Sequence, residues 1–363
     1  MTSDRADAGM DWGECWLEPG PIPPALASEV RQRVGAVPAW APRLSRVPWV
    51  VRSFARVVGT ELAYMPPALW GRIGLVVARE NSCRYCYGMT RVLLKLVGHS
   101  DDAIDRLERD VHVADVSAAD RAALAFARRV SQANPPPNAA DVAELVRAGF
   151  SRPAIGEIIY ASAFAGYPNR VATLFAIPPE RFERWIDHPL ARLVRPLIAR
   201  QFRRKMKLRP EVPSPDPNTG PCANVVAALA GSPAAHVVRE SVDEALASPI
   251  LPRRTKLLML AVIGRALDSG FAEAEARERL ASEGLAAAEV DDVVMSLGSA
   301  ALDDRDRLLL PFARETVRYR STAIQERTRE LSARLPIEEV IEAAGVAALA
   351  NAVARMAVLL ETC

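Results

Sequence analysis

The sequence predicts an all-helical protein built from two tandem copies of one helical unit, and three observations carry that expectation. Ala, Leu, Val, Arg and Glu dominate while aromatic residues make up 6% of the chain, a composition that favours helix over strand. No stretch alternates apolar and polar residues over five or six positions, so no sheet is expected. The 363 residues suit about two domains, and the chain registers with itself when shifted by 186 positions.

In that register Pro66 falls on Pro252, Val76 on Val262, Arg79 on Arg265, Arg91 on Arg277, Leu94 on Leu280 and Gly98 on Gly284. Asp120-Arg121 falls on Asp306-Arg307, and Phe126-Ala127-Arg128 on Phe312-Ala313-Arg314. One residue out of phase, Arg170-Val171-Ala172 meets Arg355-Met356-Ala357. The expected organisation is an N-terminal helical domain over 1–205, a Pro-rich linker over 206–221 and a second helical copy over 222–363.

Met1 to Pro24 reads as an irregular arm. Helices follow over Ala25–Val34 and Ala41–Leu62, and Pro66-Pro67 separates them from an apolar helix over Ala68–Ala78. A helix carrying two cysteines runs to about Val97, where Gly98 stops it. Ser100 or Asp101 caps a helix over Asp102–Arg109, and Ala118–Gln132 is amphipathic. Ala139–Ala148 ends at Gly149; after Ser151-Arg152-Pro153 one long apolar helix is expected over Ala154–Phe175. Glu180 to Lys207 reads as a basic helical segment broken at Pro189 and Pro196, its charge a solvated face.

The net charge of +2 gives no reason to expect nucleic acid as a partner. Five scattered cysteines (Cys15, Cys83, Cys86, Cys222 and Cys363) are not a secreted disulfide framework, and Met1 to Met10 lacks the apolar core of a signal peptide. The best apolar run, Ala343–Ala354, is too short to span a membrane. These features lead to the expectation of a soluble protein in a reducing cytoplasm, without membrane or nucleic-acid partners.

The chemistry concentrates in Arg79-Glu80-Asn81-Ser82-Cys83-Arg84-Tyr85-Cys86-Tyr87-Gly88-Met89-Thr90, which holds a C-x-x-C pair. Ser82 is the expected N-cap, placing both thiols in the first turn and a half of a helix whose positive end, with Arg79 and Arg84 nearby, favours thiolate. If the helix instead runs unbroken from Ile73, then Glu80, Cys83, Cys86 and Thr90 share one face. Either arrangement suits reversible thiol–disulfide chemistry. Two inert buried cysteines are the plain alternative, and a metal site would need two further ligands. In the second copy Ser269, Ala272, Ala266 and Ala276 replace Cys83, Cys86, Glu80 and Thr90, and Asp268 replaces Ser82 as the expected capping side chain. His99, His112, His188 and His236 are scattered and read as surface residues; Cys15, Cys222 and Cys363 receive no role.

On these residues the first half resembles the alkylhydroperoxidase D / carboxymuconolactone decarboxylase superfamily, whose common motif is C-x-x-C-x-x-x-H with Gly eight residues later. Cys83, Cys86 and Gly98 match that spacing, and Leu145–Phe150 leading into Tyr167–Ala172 looks like the family's closing helices. The likeness spans about Pro66–Phe175 and recurs, degenerate, over Pro252–Leu360. It implies an all-α fold of two tandem alkylhydroperoxidase D-like domains. For the peroxidase branch it implies that Cys86 becomes a sulfenic acid and Cys83 resolves it as a disulfide. Peroxide would be the substrate, an external dithiol or lipoyl-type donor the reductant, and no cofactor would be bound; homo-oligomerisation is left open.

The motif histidine falls on Thr90, the relay glutamate near Gly71 and the histidine between the cysteines on Tyr85. Glu80 is the candidate replacement base, with Thr90, Tyr85 and Arg79 in supporting positions. The alternatives are a disulfide reductase or redox sensor without peroxidase activity, and a catalytically silent helical interaction protein. Lactone decarboxylation is the poorer match, because that branch generally lacks the cysteine pair.

Overall fold

Proline and short polar residues set most of the helix starts. Proline opens α1 (Pro24–Val34), α3 (Pro48–Gly59) and α4 (Pro67–Glu80), where its missing N–H costs no helical hydrogen bond. Side chains of Ser117 and Asn138 cap α7 (Ala118–Gln132) and α8 (Ala139–Arg147), and Ser151 caps α9 (Arg152–Phe164). Between these lie α2 (Trp40–Leu44), α5 (Arg84–Leu96) and α6 (Asp101–Arg109), and α10 (Gly166–Leu174) closes the first half. The second half contains α11 (Ala223–Ala228), α12 (Pro233–Ala247), α13 (Arg253–Ala266), α14 (Gly270–Ser282) and α15 (Ala287–Ser296). It ends with α16 (Asp304–Glu315), α17 (Ser321–Ser332) and α18 (Ile337–Leu360).

This is a computed structural model, and it describes residues 12–109, 115–180, 220–300 and 302–360. The fold is all-α, with no strand among the described residues. Most of the expected linker and nearly all of the basic segment Glu180–Lys207 lie outside the described residues.

Two expected helices are each divided. Ala41–Leu62 breaks into α2 and α3, because Val47 takes an extended conformation ahead of Pro48. Ala154–Phe175 breaks at Ala165 into α9 and α10, three residues before Pro168, which has no N–H to donate to the Phe164 carbonyl.

The two halves share one apolar core. Helices α9, α10 and α3 pack against α18, and α3 also packs against α12. Gly345 permits the α3–α18 approach: a Cβ there would come within 2.6 Å of Val50 and 2.9 Å of the Trp49 ring. α18 is long and apolar enough to cross a membrane, although 89% of its apolar window is buried inside the protein. It exceeds the apolar run seen in the sequence because its buried polar residues, Glu342, Asn351 and Arg355, all have partners.

Two buried carboxylates pin the halves together. Glu157 accepts from the amides of Ala63, Tyr64 and Met65 and from the Ser232 hydroxyl, each at 2.7 Å. Glu342 accepts from the Leu251 amide and from Trp49 Nε1 at 2.9 Å, with Lys256 Nζ 3.3 Å away. Each therefore fastens the segment before a helix of its own half, α4 or α13, and also reaches a side chain of the other half.

Candidate functional site

The cysteine segment begins where α4 stops. The Ser82 amide donates to the Arg79 carbonyl at 2.9 Å and the Cys83 amide to Ala78 at 2.8 Å, the paired closure of a Schellman motif. That closure requires a left-handed residue, and Ser82 occupies it with φ 48°. The N-cap is therefore Cys83, not the expected Ser82. Cys83 is extended (φ −93°, ψ 95°), and its Sγ accepts from the Cys86 amide at 3.3 Å. The break also removes the alternative of one helix running through from Ile73, so the expected common face of Glu80, Cys83, Cys86 and Thr90 does not form.

Cys83 is fully buried, whereas Cys86, one turn into α5, is half-buried. The sulfur at the helix N-terminus is thus enclosed and the following one is reachable from solvent.

The flanking residues diverge. Both oxygens of Glu80 are engaged by α7: Oε1 accepts from Arg128 Nε at 2.7 Å and Oε2 from Gln132 Nε2 at 2.8 Å. Arg79 is exposed. Tyr85 donates its hydroxyl to Glu180 Oε1 at 3.0 Å, an atom that also accepts from the Ala39 amide. Thr90 packs over Gly74 of α4. Tyr87 joins Arg91, Glu108 and Asp105 in a cluster tying α5 to α6; burial and then Glu108 push its phenol up to about 12.

The residue sequence reasoning missed comes from the other half. Tyr319, in the loop between α16 and α17, donates its hydroxyl to the Asn81 carbonyl at 3.1 Å. Its ring lies under the buried Arg170 guanidinium at 5.9 Å, and Arg170 Nε donates to the Thr316 carbonyl at 3.2 Å. Burial raises the Tyr319 phenol; Arg170 opposes this, while negative charge on Cys83 adds to it. No sequence motif marks Tyr319. Arg170 was visible in the sequence through its repeat partner Arg355 and within the stretch Tyr167–Ala172.

The same turn occurs in the second half without sulfur. Asp268 has φ 54°, and Ser269 caps α14 with φ −90° and ψ 92°. As at Ser82, the expected capping side chain at Asp268 is instead the left-handed residue before the cap. The Ser269 hydroxyl is buried and makes no hydrogen bond.

Other candidates are dispersed. Cys15 donates to the Leu17 carbonyl at 3.6 Å, and burial raises the Cys222 thiol well above its ordinary range. His99 is lowered by burial and by Arg72, and His236 pairs with Glu240 at 3.0 Å. Cys363, His112 and His188 lie outside the described residues. Among the described residues no three His, Cys, Asp or Glu side chains cluster as a metal site.

No family model and no curated protein matches the chain. Among solved structures, it is similar to the alkylhydroperoxidase AhpD core of an uncharacterized peroxidase-related protein from Ralstonia eutropha JMP134. The TM-score is 0.42 at 24% identity, over 47% of this chain and 95% of that one. A likeness of this size assigns no residue roles.

Proposed function

We propose that this protein is a thiol-dependent, peroxidase-like antioxidant enzyme working through Cys83 and Cys86. The observation that carries the reading is the pair itself: a buried Cys83 sulfur on the Cys86 amide, with Cys86 half-buried one turn on. The positive end of α5 stabilises negative charge on sulfur there. The resemblance of the C-x-x-C…Gly pattern to the peroxidase branch supports the same assignment.

In this reading the Cys86 thiolate attacks the peroxide; an S–O bond forms, the O–O bond breaks, and the leaving alkoxide or hydroxide takes a proton from solvent. Cys83 then attacks the Cys86 sulfenic acid, forming S–S and releasing water. An external dithiol of lipoyl type supplies two electrons and two protons to restore both thiols, becoming a disulfide itself. Because Thr90 cannot take a proton and Glu80 is engaged by Arg128 and Gln132, proton transfer falls to solvent and turnover is slow.

We also read the two halves as a tandem duplication with a degenerate second copy. Supporting this are the matched turns at Ser82-Cys83 and Asp268-Ser269 and the matched tethers of Glu157 and Glu342. The second copy kept the scaffold and lost the sulfurs.

The complete burial of Cys83 favours one other reading, a disulfide reductase or redox sensor. Peroxide consumption with a dithiol donor separates the two. Wild type should turn over, Cys86→Ser should abolish turnover, and Cys83→Ser should stop it after one equivalent. A wild type that closes the disulfide with other oxidants but consumes no peroxide would instead be the sensor or reductase.

A further inference from the structure

We infer that Tyr319, a residue of the half without the cysteine pair, is a positioning residue of the thiol site. Its hydroxyl clamps the Asn81 carbonyl and so holds the Asn81–Ser82–Cys83 turn that seats Cys83 Sγ on the Cys86 amide. The inference rests on the Cys83–Cys86 redox reading and adds a contribution from the second half to it.

The geometry gives Tyr319 this reach. Asn81 is the residue closing α4, and its carbonyl is one of those a helix C-terminus leaves without an intrahelical donor. The next residue, Ser82, is held left-handed, a conformation an L residue keeps only where its surroundings enforce it. Tyr319 is itself fixed: its ring lies under Arg170, which is tied to the Thr316 carbonyl three residues before Tyr319.

The asymmetry between the halves is a second, independent argument. The matching turn, Leu267-Asp268-Ser269, carries no sulfur. The position matching Tyr319 at the repeat offset is Ala133, which has no hydroxyl to return the contact. A clamp needed only for folding would be expected on both turns. It is present on the one that holds Cys83.

Holding the turn restricts the dithiol before it closes, so less freedom is lost on forming the disulfide, and closure is both faster and more favourable. Tyr319→Phe keeps the ring over Arg170 and deletes only the hydroxyl. Two readouts on the full chain test it: the Cys83–Cys86 thiol–disulfide equilibrium against glutathione, resolved by peptide mass, and amide hydrogen exchange.

In Tyr319→Phe the equilibrium should move several-fold toward the dithiol, up to about tenfold for one hydrogen bond. Exchange should quicken in the peptide spanning 79–88 and stay unchanged in the peptide spanning 265–274. An equilibrium that overlays wild type, or exchange that quickens equally in both peptides, overturns the inference. A wild type that forms no Cys83–Cys86 disulfide under any oxidant refutes the redox reading itself, and the exchange comparison then still decides whether Tyr319 clamps the turn.

Discussion

Arg170 and Arg355 each reach a backbone carbonyl of the opposite half: Arg170 Nε donates to Thr316 and Arg355 Nε to Val130, both at 3.2 Å. The two arginines stand one position out of the 186-residue register, and the two acceptors stand in it. Both guanidiniums are buried, and their contacts are with backbone carbonyls, Asn351 and Tyr319. Burial depresses both, and the charge on Arg170 lowers Arg355 further.

A first prediction follows from that pair. Arg355→Ala removes donors from the Val130 and Val317 carbonyls and from Asn351 Oδ1. Each buried acceptor left bare costs about 1–3 kcal/mol, so urea unfolding should show a loss of at least ~3 kcal/mol. Because the arginines repel, removing one relieves the other. The relief is counted in both single variants but can occur only once, so the Arg170→Ala/Arg355→Ala double variant should lose more than the sum of the singles. Strict additivity would show that the two charges do not interact.

The contact between α3 and α12 carries a pH dependence. Burial opposes ionisation of Glu244, but hydrogen bonds and charge from Arg56 and Arg52 outweigh it and hold the carboxyl below its ordinary value. A carboxyl with a lower value folded than unfolded contributes stability above its unfolded range, and that contribution is lost as pH falls through the folded value. Melting temperature should decline below about pH 4.5. Glu244→Gln should lower stability at neutral pH and flatten this acid limb. An acid limb unchanged in the variant would exclude Glu244 as a source of it.

The matched turns make a constructive prediction. Ser269 and Cys83 have nearly the same backbone angles, and Ala272 stands where Cys86 does. Ser269→Cys with Ala272→Cys should form a second disulfide on mild oxidation, since cysteines three apart at such a start meet disulfide geometry with little movement. If both new thiols stay free in oxidant that closes Cys83–Cys86, the two turns are not equivalent.

Glu80 separates the expectation from the geometry. The sequence suggested it as replacement base, yet Arg128 and Gln132 take both its oxygens. Glu80→Gln should therefore leave peroxide turnover within about twofold and cost at most ~1 kcal/mol, the usual scale of a surface ion pair. Thr90→His should raise turnover by up to about 10²-fold if its imidazole reaches the sulfur. A large drop in Glu80→Gln would restore it as a base.

What the sequence made legible is what local chemistry decides. The start after Pro66-Pro67, the Ser151 cap and the stop at Gly98 were readable because each acts within a turn of itself. The cysteine pair was readable from spacing. Its N-cap was not, because a Schellman closure on Ala78 and Arg79 moved the cap from Ser82 to Cys83. The break at Ala165 was hidden inside an apolar run, and the one at Pro48 inside a stretch read as one helix from Ala41. Tyr319 lies 238 positions from Asn81, and only the packing of the two halves brings them together.

The most direct test of the account is disulfide mapping after one equivalent of peroxide is added to the reduced protein. The account predicts that two thiols per chain are lost, that both belong to a Cys83–Cys86 disulfide, and that Cys83→Ser leaves a sulfenic acid at Cys86. Thiol loss at Cys15 or Cys222 with Cys83 and Cys86 still reduced, or no thiol loss at all, would contradict it.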